Sequence, residues 1–158
     1  MVHLILRVAG VALLVVLTVA IHGAGTMLAI GRQMRSHQEM GRGASVWLVN
    51  RAVPLLVFDL LLIHIVEIFF WAFYYDLLGI FDSFRIALYF AAVTYTTLGY
   101  GDVVAGPNWI LEAGALSIVG WLMFGWSTGV LVWILGRHYE RIFPSAADRR
   151  APTSRSSS

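Results

Sequence analysis

The sequence predicts an all-α membrane protein: three transmembrane helices plus one short re-entrant helix that enters the membrane without crossing it. Three observations lead there. Hydrophobic residues make up 59% of the 158 positions and charged residues only 13%, whereas a soluble domain is about half apolar and about a quarter charged. The charges collect around three apolar stretches that each supply the roughly 20 residues a membrane-crossing helix needs. A fourth apolar stretch, residues 83–95, makes a helix of only about 20 Å, too short to cross.

Residues 1–30 read as the first helix, and between Val8 and Ile21 only Thr18 interrupts the apolar run. A cleavable signal sequence is the competing reading, but Arg7 alone makes a poor positive flank and no small-residue cleavage site follows. Residues 31–51 carry Arg32, Arg35, Arg42 and Arg51 against Glu39, which predicts a cytoplasmic loop and an external N-terminus. The second helix, residues 52–75, closes on Phe69, Phe70, Trp71, Phe73, Tyr74 and Tyr75, a belt suited to the outer interface.

After an outer loop, Asp82 or Ser83 is placed to cap the short helix over 83–95. A helix end inside the membrane needs surrounding protein, so this one is expected to be enclosed. Pro107 starts the third helix, residues 109–136, and Glu112 sits in its first turn, where the helix dipole favours a carboxylate. Arg137, His138 and Arg141 mark the cytoplasmic side again, and the Arg-, Ser- and Pro-rich tail over 139–158 is expected to be disordered. The reading is a multi-pass protein of the inner membrane, in contact with lipid, with its C-terminus in the cytoplasm.

Other classes fall away. No cysteine is present, which excludes disulfides, thiolate nucleophiles and iron–sulfur sites. A net charge of +2 is too small for a nucleic-acid partner. No constellation of catalytic residues stands out, and neither an enzyme nor a cofactor is expected.

Between the short helix and the third long one lies TTLGYGD, Thr96 to Asp102. Glycine tolerates the unusual backbone angles that turn successive carbonyls to one side, so such a run is able to offer a ladder of carbonyl oxygens to an ion. The longer segment ALYFAAVTYTTLGYGDVV, residues 87–104, resembles the pore loop of the tetrameric potassium channel family. The order of helix, short helix, TxGYGD and helix over residues 52–138 is similar to that family's pore module, here with one additional N-terminal helix.

The resemblance implies that Thr97, Leu98, Gly99, Tyr100 and Gly101 form a selectivity filter. Carbonyls there, with the Thr97 hydroxyl, would replace the water shell of K+ held at Thr97, Leu98, Gly99 and Tyr100. It further implies that Thr96, Asp102 and Tyr89 support the filter and that K+ is the permeant ion. One chain supplies one loop and a ring needs four, so three further copies, a homotetramer, are expected. Leu98 replaces the commoner valine, Tyr89 and Phe90 stand where two tryptophans are frequent, and Val93 where some members have glutamate. Gly120 and Gly125 fall near the family's hinge glycine, although Gly125 and Gly129 also form a small-residue packing pair. Ser127 and Thr128 either face the cavity or bond back to their own helix.

Asp59, His64 and Glu67 lie at membrane depth, where ionisable groups are costly and mark function or docking. At about 100° per residue, His64 and Glu67 share a face, while Asp59 is over two turns away. Three readings stay open: docking onto the first helix through His22 or Thr18, a gating or pH-sensing role, and a proton or metal path. The function expected is a passive potassium-selective channel. The alternatives are a less selective cation channel, a non-conducting subunit, or a transporter or sensor built on Asp59, His64 and Glu67.

Overall fold

The computed structural model describes residues 2–39 and 46–142, and among these every regular element is helical. Helix α1 spans Val2–Glu39, α2 Val46–Leu77, α3 Phe84–Tyr95 and α4 Ile110–Ile142, with a short 3-10 turn Pro107–Trp109 before α4. Three stretches, Ile5–Arg35, Val53–Leu77 and Pro107–Arg137, are long and apolar enough to cross a membrane, while Phe84–Tyr95 is apolar and short. The protein is an all-α, multi-pass membrane protein.

The helices overrun the expected bounds at the arginine-rich end. The loop expected over 31–51 is largely helical, because α1 continues to Glu39 and α2 begins at Val46. Charged residues do not stop a helix; they stop a membrane span, and Arg32 and Arg35 sit on the turns that leave the apolar layer. The same holds at the end of α4, which runs to Ile142 and takes in the first residues of the expected tail; the tail beyond lies outside the described residues.

Helix α3 packs between α2 and α4. Its core consists of Trp71, Ala72 and Tyr75 from α2, Ala87, Phe90, Ala91 and Tyr95 from α3, and Leu116, Val119 and Met123 from α4. The aromatic belt of α2 therefore divides. Trp71 and Tyr75 are fully buried, whereas Phe69, Phe70 and Phe73 are exposed, because helical periodicity turns only one face of the run towards α3. Phe90 closes this core edge-to-face on Tyr75, with ring centroids 5.3 Å apart, and packs on Phe81 at 4.9 Å.

Helix α1 is fastened to α2 and α4 at three heights. At the end that carries the 3-10 turn, Arg7 pairs with the buried Glu112 at 2.6 Å, donates to the Asn108 carbonyl and lies 4.1 Å over the Trp109 ring. About 22 Å along the helix, His22 meets Glu67 of α2. About 15 Å further, Arg32 pairs with Asp59 at 2.8 Å. Between the first two, Trp71 donates its indole N–H to Thr18 at 3.0 Å. Where lipid competes equally for apolar faces, polar contacts and close packing hold helices together.

Close packing is most severe at Gly120. A Cβ there would collide with the Tyr95 carbonyl and ring, so this residue makes a close helix contact. Gly125, in contrast, has open space around its Cα. Gly120→Ala is expected to cost about 1–3 kcal/mol through overpacking, read as a lower thermal unfolding midpoint in detergent. Gly125→Ala should leave that midpoint unchanged within error; equal losses at both positions would contradict the packing.

Candidate functional site

The TTLGYGD segment starts where α3 stops. Ser83 caps the other end of α3 in an extended conformation, accepting from the Ile86 N–H, and the helix then runs to Tyr95 with Thr96 as its C-cap. The Thr97 N–H bonds to the Thr94 carbonyl and the Leu98 N–H reaches back to the Val93 carbonyl, both at 3.0 Å. This double bond pattern is a Schellman motif, which needs a left-handed residue just past the cap. That residue is Thr97, at φ 58°. Glycine is usual there, and a β-branched residue in this region stores strain of about 1–2 kcal/mol.

Positive φ recurs at every second residue: 58° at Thr97, 55° at Gly99 and 77° at Gly101. Among the described residues only Gly79 otherwise has positive φ, so Leu98 and Tyr100 lie on the negative side. In an extended strand successive carbonyls point to opposite sides. Reversing the sign of φ at alternate residues turns them towards one side. Leu98 and Tyr100 are 56% and 68% exposed in the single chain. Large side chains so exposed mark a surface that other protein or lipid covers.

Behind the segment, Tyr89 donates its hydroxyl proton to Asp102 at 2.7 Å. The carboxylate that receives this proton holds the Tyr89 phenol above its ordinary range. Phe90 has no donor and lies in the core with Tyr75. Asp102 also accepts from the Val103 N–H at 3.0 Å, and the Thr96 hydroxyl donates to the Ala92 carbonyl at 2.8 Å.

Beneath the segment lies a buried polar cluster drawn from all four helices. Its centre is Glu67, which has no exposed surface. His22 Nδ1 of α1 lies 3.0 Å from Glu67 Oε1, and the hydroxyl of Tyr95, the last residue of α3, donates to Oε2. His64 Nδ1 lies 2.9 Å from that hydroxyl and its Nε2 lies 3.0 Å from Ser127 Oγ of α4. Ser127 Oγ in turn lies 3.3 Å from His22 Nε2. The His64 ring stacks on Phe124 with centroids 4.4 Å apart, and Trp126 packs edge-on against His22. Nitrogen and oxygen atoms of His22, His64 and Glu67 lie within 4.8 Å of one another. Each is engaged by a neighbouring side chain, a proton-sharing arrangement.

The expected grouping of Asp59 with His64 and Glu67 does not form. Asp59 is about 12 Å further along α2 and its carboxylate is taken by Arg32. Of the suggested first-helix partners, His22 meets Glu67, whereas Thr18 binds Trp71. Ser127 turns to the two histidines, and Thr128 bonds back to the Phe124 carbonyl at 2.8 Å. Tyr95 and Ser127 were not singled out with the buried trio. They lie 28 and 63 residues from their partners Glu67 and His64, and no periodicity links them.

The fold and these sites define a membrane protein in which a short enclosed helix ends on a carbonyl-presenting loop between two spanning helices. Residues 61–136 match the family described as "Ion channel", a stretch that covers most of α2, all of α3, the TTLGYGD segment and most of α4. The match supports a member of the potassium channel family, with a pore module of the two-transmembrane type over those residues. Helix α1 lies outside the matched stretch. No curated protein and no solved structure matches the chain.

The left-handed Thr97 makes a measurable demand on the backbone. Thr97→Gly is expected to stabilise the fold by about 1 kcal/mol, seen as a higher unfolding midpoint. A midpoint lowered by that change would mean that Thr97 does not hold positive φ.

Proposed function

We propose that four copies of the chain assemble around a central axis and conduct K+ passively and selectively through a filter made by TTLGYGD. In this reading the carbonyls of Thr97, Leu98, Gly99 and Tyr100, with the Thr97 hydroxyl, hold dehydrated K+, and Gly101 completes the turn to the mouth. Thr96 ties the start of the filter to α3, and Asp102 with Tyr89 braces its far end. The observation that carries the reading is the alternation of φ at Thr97, Gly99 and Gly101, within the segment where the family matches. A single chain has one such ladder and leaves Leu98 and Tyr100 uncovered, which favours closure of a ring by further copies.

The membrane orientation follows from charge. Arg32, Arg35 and Arg51, around the α1–α2 connection, and Arg137, near the end of α4, all belong to the end of the bundle opposite TTLGYGD. Arginine favours the cytoplasmic side, so the filter mouth faces outward and the N-terminus lies outside, in an inner or plasma membrane. The transporter reading loses support because Asp59 is paired with Arg32 apart from His64 and Glu67.

Purified protein in liposomes under a K+ gradient is expected to pass K+ and Rb+ but not Na+, and to be blocked by Ba2+. Equal Na+ flux, or no flux from protein shown to be tetrameric by cross-linking, would sink the proposal. Gly101→Ala, which forces a side chain onto φ 77°, and Tyr100→Asp should each reduce the selective flux to background.

A further inference from the structure

The buried polar cluster is a closed ring. Starting at Glu67 Oε1 it passes to His22, from His22 to Ser127, from Ser127 to His64, from His64 to Tyr95, and from Tyr95 back to Glu67 Oε2. Five side chains make five contacts, and each contact needs one proton between its two heavy atoms. With Glu67 ionised and both histidines neutral, the ring owns four such protons: one each from His22, His64, Tyr95 and Ser127. One contact must then bring two lone pairs together, whichever tautomers are chosen. The same state leaves a net negative charge with no exposed surface at membrane depth, where charge is most costly. One more proton fills the fifth contact and cancels the charge.

We propose that the ring of Glu67, His22, Ser127, His64 and Tyr95 is a proton-binding site that holds a fifth proton at neutral pH and is coupled to the filter segment through Tyr95. The proton's exact seat along the Glu67–His22 contact does not matter to the count, since a histidinium with a carboxylate and a neutral histidine with a carboxylic acid contain the same number. Among the described residues, no other titratable group faces the ring. On α1 only His22 does, because Arg7 and Arg32 are about 22 Å and about 15 Å away and engaged by Glu112 and Asp59. Helix α2 contributes His64 and Glu67, and α3 contributes Tyr95. The α4 neighbours, Phe124, Trp126 and Ser127, carry no charge. Coupling follows from connectivity: Tyr95 is the final helical residue before Thr96 and Thr97, and its carbonyl rests on Gly120. When the fifth proton leaves, a contact of His22 loses its bond, and Tyr95 is left donating to a carboxylate whose charge no proton in the ring cancels, which changes the seat from which the filter segment starts.

Two substitutions separate the proton from the fold. Glu67→Gln supplies the fifth donor covalently: the amide oxygen accepts from His22 and the amide N–H donates to Tyr95, so the ring closes neutral at every pH. Ser127→Ala cuts the ring between the histidines, leaving three contacts and three protons, and removes the acceptor that the extra proton requires.

The deciding measurement is NMR of full-length protein in lipid nanodiscs, with 15N-labelled histidine and 13C-labelled glutamate carboxyls. At pH 7.5 an ordinary histidine, titrating near about 6.5, is mostly neutral. The expected result there is one doubly protonated imidazole among His22 and His64, or a protonated Glu67 carboxyl. Ionised Glu67 beside two neutral histidines at that pH would overturn the site. Ser127→Ala should release the proton at a pH lower by about one unit, the worth of a hydrogen bond to a charged group; an unchanged midpoint would also overturn it.

A proton held by the folded ring stabilises the fold at and below neutral pH, and the stabilisation is lost as pH rises through its release. The wild-type unfolding midpoint should therefore fall over that interval and that of Glu67→Gln should not. Coupling to the pore rests on the channel reading: K+ flux should change across the same interval in wild type and stay flat in Glu67→Gln. Flat wild-type flux would overturn the coupling. Absence of any flux at any pH would instead fail the channel reading, with the spectroscopic count still deciding the site.

Discussion

The structure depends on how one carboxylate is kept at membrane depth. Glu67 has no exposed surface and lies among helices that otherwise bury apolar side chains. An unpaired carboxylate there would neutralise or drive the helices apart. It is retained because α1 brings His22 and α3 brings Tyr95 to its two oxygens, with His64 and Ser127 closing the circuit. Each helix must be present for the others to be satisfied, so the polar ring sets which faces meet. Apolar surface alone, which lipid covers as readily as protein does, would leave that choice open.

This arrangement explains how a helix outside the family's matched region is tied to the helices inside it. Helix α1 carries Arg7, His22 and Arg32 at three heights, each opposed by an acid on α2 or α4. Its middle contact reaches Tyr95 within one side chain, through Glu67. The left-handed Thr97 follows two residues later, strained at φ 58°, and such strain persists only where the surroundings over-determine it. The Schellman bonds on one side and the Tyr95–Glu67 seat on the other supply that determination.

The same residues show where sequence reasoning reaches and where it stops. Long apolar runs and the short fourth one were legible because a bilayer has a fixed thickness and helices a fixed rise. TTLGYGD was legible because its chemistry is contiguous. Helix ends were less so: a span ends where charge meets the interface, whereas the helix itself continues to Glu39 and Ile142. Asp59, His64 and Glu67 stand out as costly at membrane depth, and His22 is a legible candidate partner on the first helix, but the partners Arg32, Tyr95 and Ser127 have no sequence signal. Arg32 is 27 residues from Asp59, and Ser127 is 105 from His22.

What the sequence by itself determined is the number of spanning helices, the short apolar helix and the place of the glycine-spaced loop between that helix and the last span, since all three rest on local length, hydropathy and glycine spacing. Only the tertiary structure decided that Asp59 leaves the trio for Arg32 and that Gly120 lies against the Tyr95 carbonyl. It alone gathered His22, His64, Glu67, Tyr95 and Ser127 into one ring. The reason is physical: side-chain hydrogen bonds across helices depend on rotation and depth of each helix in the bundle, and neither quantity is written in any single stretch of chain.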